Sequence, residues 1–156
     1  MKKGEGYDLN FEQTHEKIEF RFTSVGSKGS IVKVIEFQQT PLKFWNLGFG
    51  DATEGDWKDD VITDNGDLRK VLQTVTNTVH LFFSLYPNQE IVIIPLDRQR
   101  KLLYNRVIQQ RWHEIEPFFI VKAIHLNTDN PKFENYTPKK IYDYFRITQK
   151  MPIFDY

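Results

Sequence analysis

Hydrophobic residues recur along this chain with two periods. Between 65 and 86, Leu68, Leu72, Val75, Val79, Phe82 and Phe83 return every three or four residues, which puts them on one face of a helix. Arg69, Lys70, Gln73, Asn77 and His80 fall between them, and the spacing predicts that they face water. Asp64, Asn65 and Asp67 crowd the start, where side-chain oxygens accept from unpaired amides and negative charge suits the helix dipole. Tyr86-Pro87-Asn88 ends the helix, because proline cannot continue it. The β-branched residues Thr74, Val75, Thr76 and Thr78 oppose helix intrinsically, but the periodicity outweighs them. Ile91-Val92-Ile93-Ile94 is apolar at every position and too short for a helix, the pattern of a strand covered on both faces. From Asp97 the helical spacing returns through Leu102, Leu103, Val107 and Ile108, with Arg98, Arg100, Lys101, Arg106 and Arg111 on the polar side.

The period-two signal lies mainly upstream. Ile18, Phe20 and Phe22 alternate with Glu19, Arg21 and Thr23, and a second run covers Ile31 to Phe37. The Gly26-Ser27-Lys28-Gly29 turn between them makes 18 to 37 an antiparallel hairpin. That turn lacks the spacing of a phosphate-binding loop and has no helix behind it. Phe44 to Gly50 reads as a third strand ending at Asp51. An acidic connector follows, with Asp51, Glu54, Asp56, Asp59, Asp60 and Asp64, whose order does not match a calcium loop. A last strand is predicted from Pro117 to Leu126. Ile141, Tyr142, Tyr144, Phe145 and Ile147 are expected in a short helix or strand that docks on the core. The prediction is one α+β domain over 1–156, with a core at about 18–126 and a docking segment at 127–156.

Composition narrows the chemistry. Lysine plus arginine and aspartate plus glutamate stand at 21 each, so no global field favours nucleic acid or acidic lipid. Without cysteine there is no disulfide framework, thiolate metal site or cysteine nucleophile. The four histidines are scattered, and Pro117 stands where a zinc-protease motif opened by His113-Glu114 needs its second histidine, so no metal site is expected. No Gly-x-Ser-x-Gly elbow and no dinucleotide fingerprint is present. No apolar leader follows Met1-Lys2-Lys3 and no run approaches a membrane span, so the expected location is the cytoplasm.

The order of three antiparallel strands, connector, helix, strand, helix and strand resembles the core of GNAT-type acyltransferases over about residues 18 to 126. Asp97-Arg98-Gln99-Arg100-Lys101-Leu102-Leu103-Tyr104 keeps the hydrophobic-Tyr pair with which that family's second helix often begins. The resemblance implies a GNAT-like, mainly antiparallel central sheet of about five strands with two main helices. It also implies acetyl-coenzyme A as cofactor, Tyr104 as the general acid, and Asp51, Asp56 or Asp59 as base. The family's Gly-rich pyrophosphate loop corresponds to Thr63-Asp64-Asn65-Gly66-Asp67, which makes Asn65 and Gly66 its cofactor-binding positions, with Arg98 and Arg100 as further cofactor-binding candidates. That loop carries one glycine and two carboxylates. The chain also resembles a family of small uncharacterised bacterial proteins. The alternative from the residues themselves is a non-catalytic binding module. In it Arg98 and Arg100, with Lys101, Arg106 and Arg111, present a basic helix to nucleic acid or an acidic protein, or to the chain's own loop at 51–67.

Overall fold

A computed structural model describes residues 6–53, 56–58 and 64–150. The chain divides into two compact units, Met1–Tyr86 and Pro87–Tyr156. The first holds β1 (Asn10–Gln13), β2 (Lys17–Gly26), β3 (Gly29–Gln39), β4 (Trp45–Thr53), β5 (Asp56–Lys58) and α1 (Leu68–Leu85). The second holds β6 (Ile91–Ile93), α2 (Arg98–Gln110), α3 (Trp112–Ile115), β7 (Phe119–Ile124), β8 (Glu134–Asn135) and β9 (Tyr144–Gln149).

In the first unit β1 to β5 pair in chain order, each antiparallel to its neighbour. The register sets Ile18 opposite Phe37 and Phe20 opposite Ile35, and then Ile35 opposite Phe49 and Phe37 opposite Leu47. Because side chains alternate along a strand, these residues share one face. All of them are buried. Helix α1 supplies Phe82 to this core, stacked on Phe37 with centroids 4.8 Å apart and edge-on to Trp45 at 5.4 Å. In the second unit the strands run β6-β9-β7-β8. Ile91 lies opposite Ile147, which faces Val121, and Ile93 lies opposite Phe145, which faces Ala123. These six are buried. Asn105 of α2 pins this unit like a piece of backbone: its amide donates to the Tyr142 carbonyl (2.8 Å) and its oxygen accepts from the Tyr142 amide (2.7 Å).

Nine strands and three helices among the described residues correct the expectation of a GNAT-like sheet of about five strands with two main helices. The added elements are β1, β5, β8 and α3, each of four residues or fewer. Strands β1 and β8 owe their places to pairing more than to an apolar face, whereas α3 buries Ile115. Every residue of β1 is exposed, and β8 is held by Lys122 and Ala123 of β7. The hairpin, the third strand, both long helices and the strands at 91–93 and 119–124 form where the periodicity predicts. The segment at 141–147 resolves into β9. One expectation about α1 is also corrected. Gln73 and Asn77 do not face water: they are 3 % and 9 % exposed, joined by a 3.0 Å hydrogen bond between their amides.

Candidate functional site

Helix α2 begins at Asp97, whose extended backbone and carboxylate cap the helix by accepting from the Arg100 amide at 2.8 Å. The other carboxylate oxygen takes the Arg100 guanidinium at 2.6 Å, so Arg100 lies folded back and buried. Lys101 reaches Asp143 at 2.7 Å, and Arg111 reaches Glu114 at 3.3 Å. The Lys101 ammonium, and after it the Leu126 amide, hold the Asp143 carboxyl below its usual range. Three of the five cations predicted for a basic stripe are therefore held in ion pairs of their own unit.

Arg98 and Arg106 are exposed. Leu102 lies between them, one helical turn from each, and is 43 % exposed. Leu96, just before the helix, is 64 % exposed. Tyr104 falls on the opposite, buried side of α2, at 8 % exposure.

In the first unit Asp51 ends the inward row Trp45, Leu47, Phe49, Asp51 of β4. Directly opposite on β3 stands Lys33, whose Nζ lies 2.6 Å from the Asp51 carboxylate, with both side chains almost wholly removed from water. Lys33 was missed by the sequence reading, although it left a signal: it shares the strand parity of Ile35 and Phe37. A lysine at that parity is either an interruption or a buried charge with a partner. The side chain of Asp56, and Asp59 entirely, lie outside the described residues.

Asn65 and Gly66 come together at the entry to α1. The Asn65 amide donates to the Gly29 carbonyl (2.8 Å) and to Ser24 Oγ (3.1 Å), and its oxygen accepts from the Lys28 amide (2.6 Å). Its carbonyl also takes the Ser27 amide at 3.0 Å. Asn65 is thus a plug in the tip of the β2–β3 hairpin. Gly66 has φ +77°, a left-handed conformation that suits glycine, and its amide donates to Asp64. Asp67, at the N-cap of α1, makes no side-chain bond to its own helix. Its carboxylate accepts instead from Ser24 Oγ (2.6 Å) and the Tyr7 hydroxyl (2.5 Å).

A second polar cluster, not anticipated from sequence, surrounds Tyr142. Its hydroxyl donates to Glu134 (2.9 Å), which also takes Lys140 (3.1 Å), and His125 stacks on its ring at 4.4 Å. Lys140 first, and then Tyr142, hold Glu134 below the ordinary carboxylate range. Burial pushes the Tyr136 and Tyr142 phenols up to about 12, with the Glu134 hydrogen bond adding to the effect at Tyr142. Among the described residues no group of three or more His, Asp or Glu side chains is placed to hold a metal, and no helix is long and apolar enough to cross a membrane.

A family model described as a family of unknown function, DUF6934, matches residues 3–150. No curated protein and no solved structure matches the chain.

Proposed function

The chain belongs to DUF6934, a family with no activity to carry over, and from its own surface we propose that it is a non-catalytic binding module of the cytoplasm. Its recognition face is the exposed row Arg98, Leu102 and Arg106 of α2, and its partner is an acidic protein segment. One observation carries this reading: α2 keeps two cations in water on either side of an exposed leucine, while Arg100, Lys101 and Arg111 are spent on internal pairs. An apolar centre rimmed by arginines is the composition of a protein interface. A phosphate backbone is better served by a continuous run of cations, which this helix lacks once its ion pairs are made. The family match spans both units, which supports treating the chain as one functional piece.

The groups that the acyltransferase reading needs are engaged elsewhere. Asp51 is neutralised by Lys33 inside the core, Asn65 fills the hairpin tip, Arg100 is tied to Asp97, and Tyr104 is buried on α2. Binding is therefore favoured over transfer chemistry.

The test is fluorescence anisotropy with three probes at physiological salt: a labelled peptide of alternating glutamate and leucine, a duplex oligonucleotide, and acetyl-coenzyme A as competitor. The peptide is expected to bind the wild type, and Arg98→Glu/Leu102→Asp/Arg106→Glu is expected to weaken it at least tenfold with the thermal midpoint held. Equal binding of the peptide by both proteins, or displacement of the peptide by acetyl-coenzyme A, overturns the reading.

A further inference from the structure

The segment 6–13 crosses the first unit with little apolar burial of its own. Strand β1 is exposed at all four positions, and Phe11, stacked on Phe20 at 5.6 Å, remains 51 % exposed. Its ladder to β2 runs only from Asn10 opposite Arg21 to Gln13 opposite Ile18. Tyr7, by contrast, is held through every part of the residue. Its amide donates to Thr74 Oγ1 (2.8 Å), its hydroxyl donates to Asp67 and accepts from the Val25 amide (3.0 Å), its ring stacks on Phe22 (5.5 Å), and the Lys70 ammonium lies 4.3 Å above that ring. Asp67 is turned from its own helix to serve this contact. Gly6 fits by a narrow margin, since a Cβ there would stand 2.7 Å from Asn77 Nδ2 and 3.3 Å from the Thr74 backbone.

We propose that residues 6–13 are a displaceable strap, latched at Tyr7, that occupies in cis the edge of β2 and so closes that edge to any other strand. An edge strand with free amides and carbonyls is a template for pairing, and β2 would offer one over Ile18 to Arg21 once the strap lifts. Most of the side-chain fastening is concentrated at Tyr7, with Gln13 adding one bond to the Tyr86 hydroxyl (2.9 Å), and β1 itself is exposed at all four positions. The strap therefore opens as a local event, separate from unfolding of the sheet behind it.

Hydrogen exchange of the full chain, read by mass spectrometry on wild type, Tyr7→Phe and Gly6→Ala, tests this. Tyr7→Phe removes the hydroxyl bonds and keeps the ring, and Gly6→Ala pushes the segment off α1 sterically. Amides of 10–13 are expected to exchange about tenfold faster or more in Tyr7→Phe, the effect of losing a hydrogen bond to a charged group, and several-fold faster than wild type in Gly6→Ala, where a Cβ crowds Asn77 and Thr74. Those of β3 and β4 are expected to keep wild-type protection. Should Tyr7→Phe not fold, Gly6→Ala carries the test alone. Unchanged exchange at 10–13 in the folded variants overturns the strap, and so does loss of protection at β1, β3 and β4 together.

Discussion

Lys33 and Asp51 stand where two apolar side chains would otherwise meet, opposite each other between β3 and β4 and both nearly free of solvent. Removing two charges from water is costly, and their attraction offsets this only while both are present. Asp51→Leu or Lys33→Met alone is therefore expected to cost about 3–5 kcal/mol, because each breaks a buried ion pair by removing one side of it. The double variant is expected to recover most of that loss. Denaturant unfolding of the four proteins closes the cycle, and fully additive losses would show that the two charges act independently. At this scale the sequence was half legible. Asp51 could be singled out as an acidic residue at a strand end, whereas its partner was visible only through strand parity. Tyr104, expected as the acid, and Arg100, expected to bind the cofactor, looked available because side-chain burial on α2 depends on what packs against it, which spacing does not fix.

The β2–β3 hairpin shows how one element depends on a residue far along the chain. Asn65 satisfies the amides of Ser27 and Lys28 at the tip, which two-residue loops usually leave to water. Gly26 is shaped by that contact, since a Cβ there would lie 1.8 Å from the Asn65 carbonyl oxygen. At Gly29 a Cβ would meet nothing within 4 Å, although φ is +87°. Two alanine substitutions three residues apart should thus differ sharply. Gly29→Ala is expected to cost about 1–2 kcal/mol, the left-handed penalty of an L-residue. Gly26→Ala must displace the plug and should cost well beyond that, with the two ranked by thermal unfolding. Equal costs would mean that the Asn65 contact gives way freely. The hairpin itself was legible, since alternation and a glycine-flanked turn are local signals. The plug was not, because it is a contact across 36 positions between Asn65 and Gly29. Likewise α1 was legible as a helix, but Gln73 and Asn77 on its polar side were misjudged. The Gly6 backbone passes close by Asn77, and no periodicity reports a cover supplied by another segment.

For the whole molecule, neutral net charge hides groups whose ionisation is tied to folding. Tyr136 and Tyr142 have folded-state values of about 12 against an ordinary 10, and Tyr7 is also raised, by burial and by the Asp67 carboxylate. A raised value means that the neutral phenol favours the folded state. That contribution is complete below pH 10 and is lost as pH rises from 10 through about 12. Ultraviolet titration of the seven tyrosines should show a late-ionising group that disappears in denaturant, and unfolding free energy should fall over the same window. A single transition near 10 would contradict the burial of these phenols. On the acid side Asp143 and Glu134 are depressed, so their contribution is present above the ordinary carboxylate range and lost as pH falls from that range through their lowered folded values. The GNAT-like expectation failed at this scale for a definable reason: element order and the Leu103-Tyr104 pair are local, and neither fixes how many short strands extend a sheet.

The order β6-β9-β7-β8 also has a temporal meaning. A ribosome makes β6, α2 and β7 first, yet the strand that must lie between β6 and β7 is the last of the set. Until residues 144–149 have left the exit tunnel, Ile91, Ile93, Val121 and Ala123 lack the β9 residues that lie opposite them. The Met1–Tyr86 unit, whose five strands pair in the order of synthesis, faces no such delay. Nascent chains of this protein therefore carry a finished first half ahead of an apolar second half in waiting, and that interval is when a chaperone has most to do.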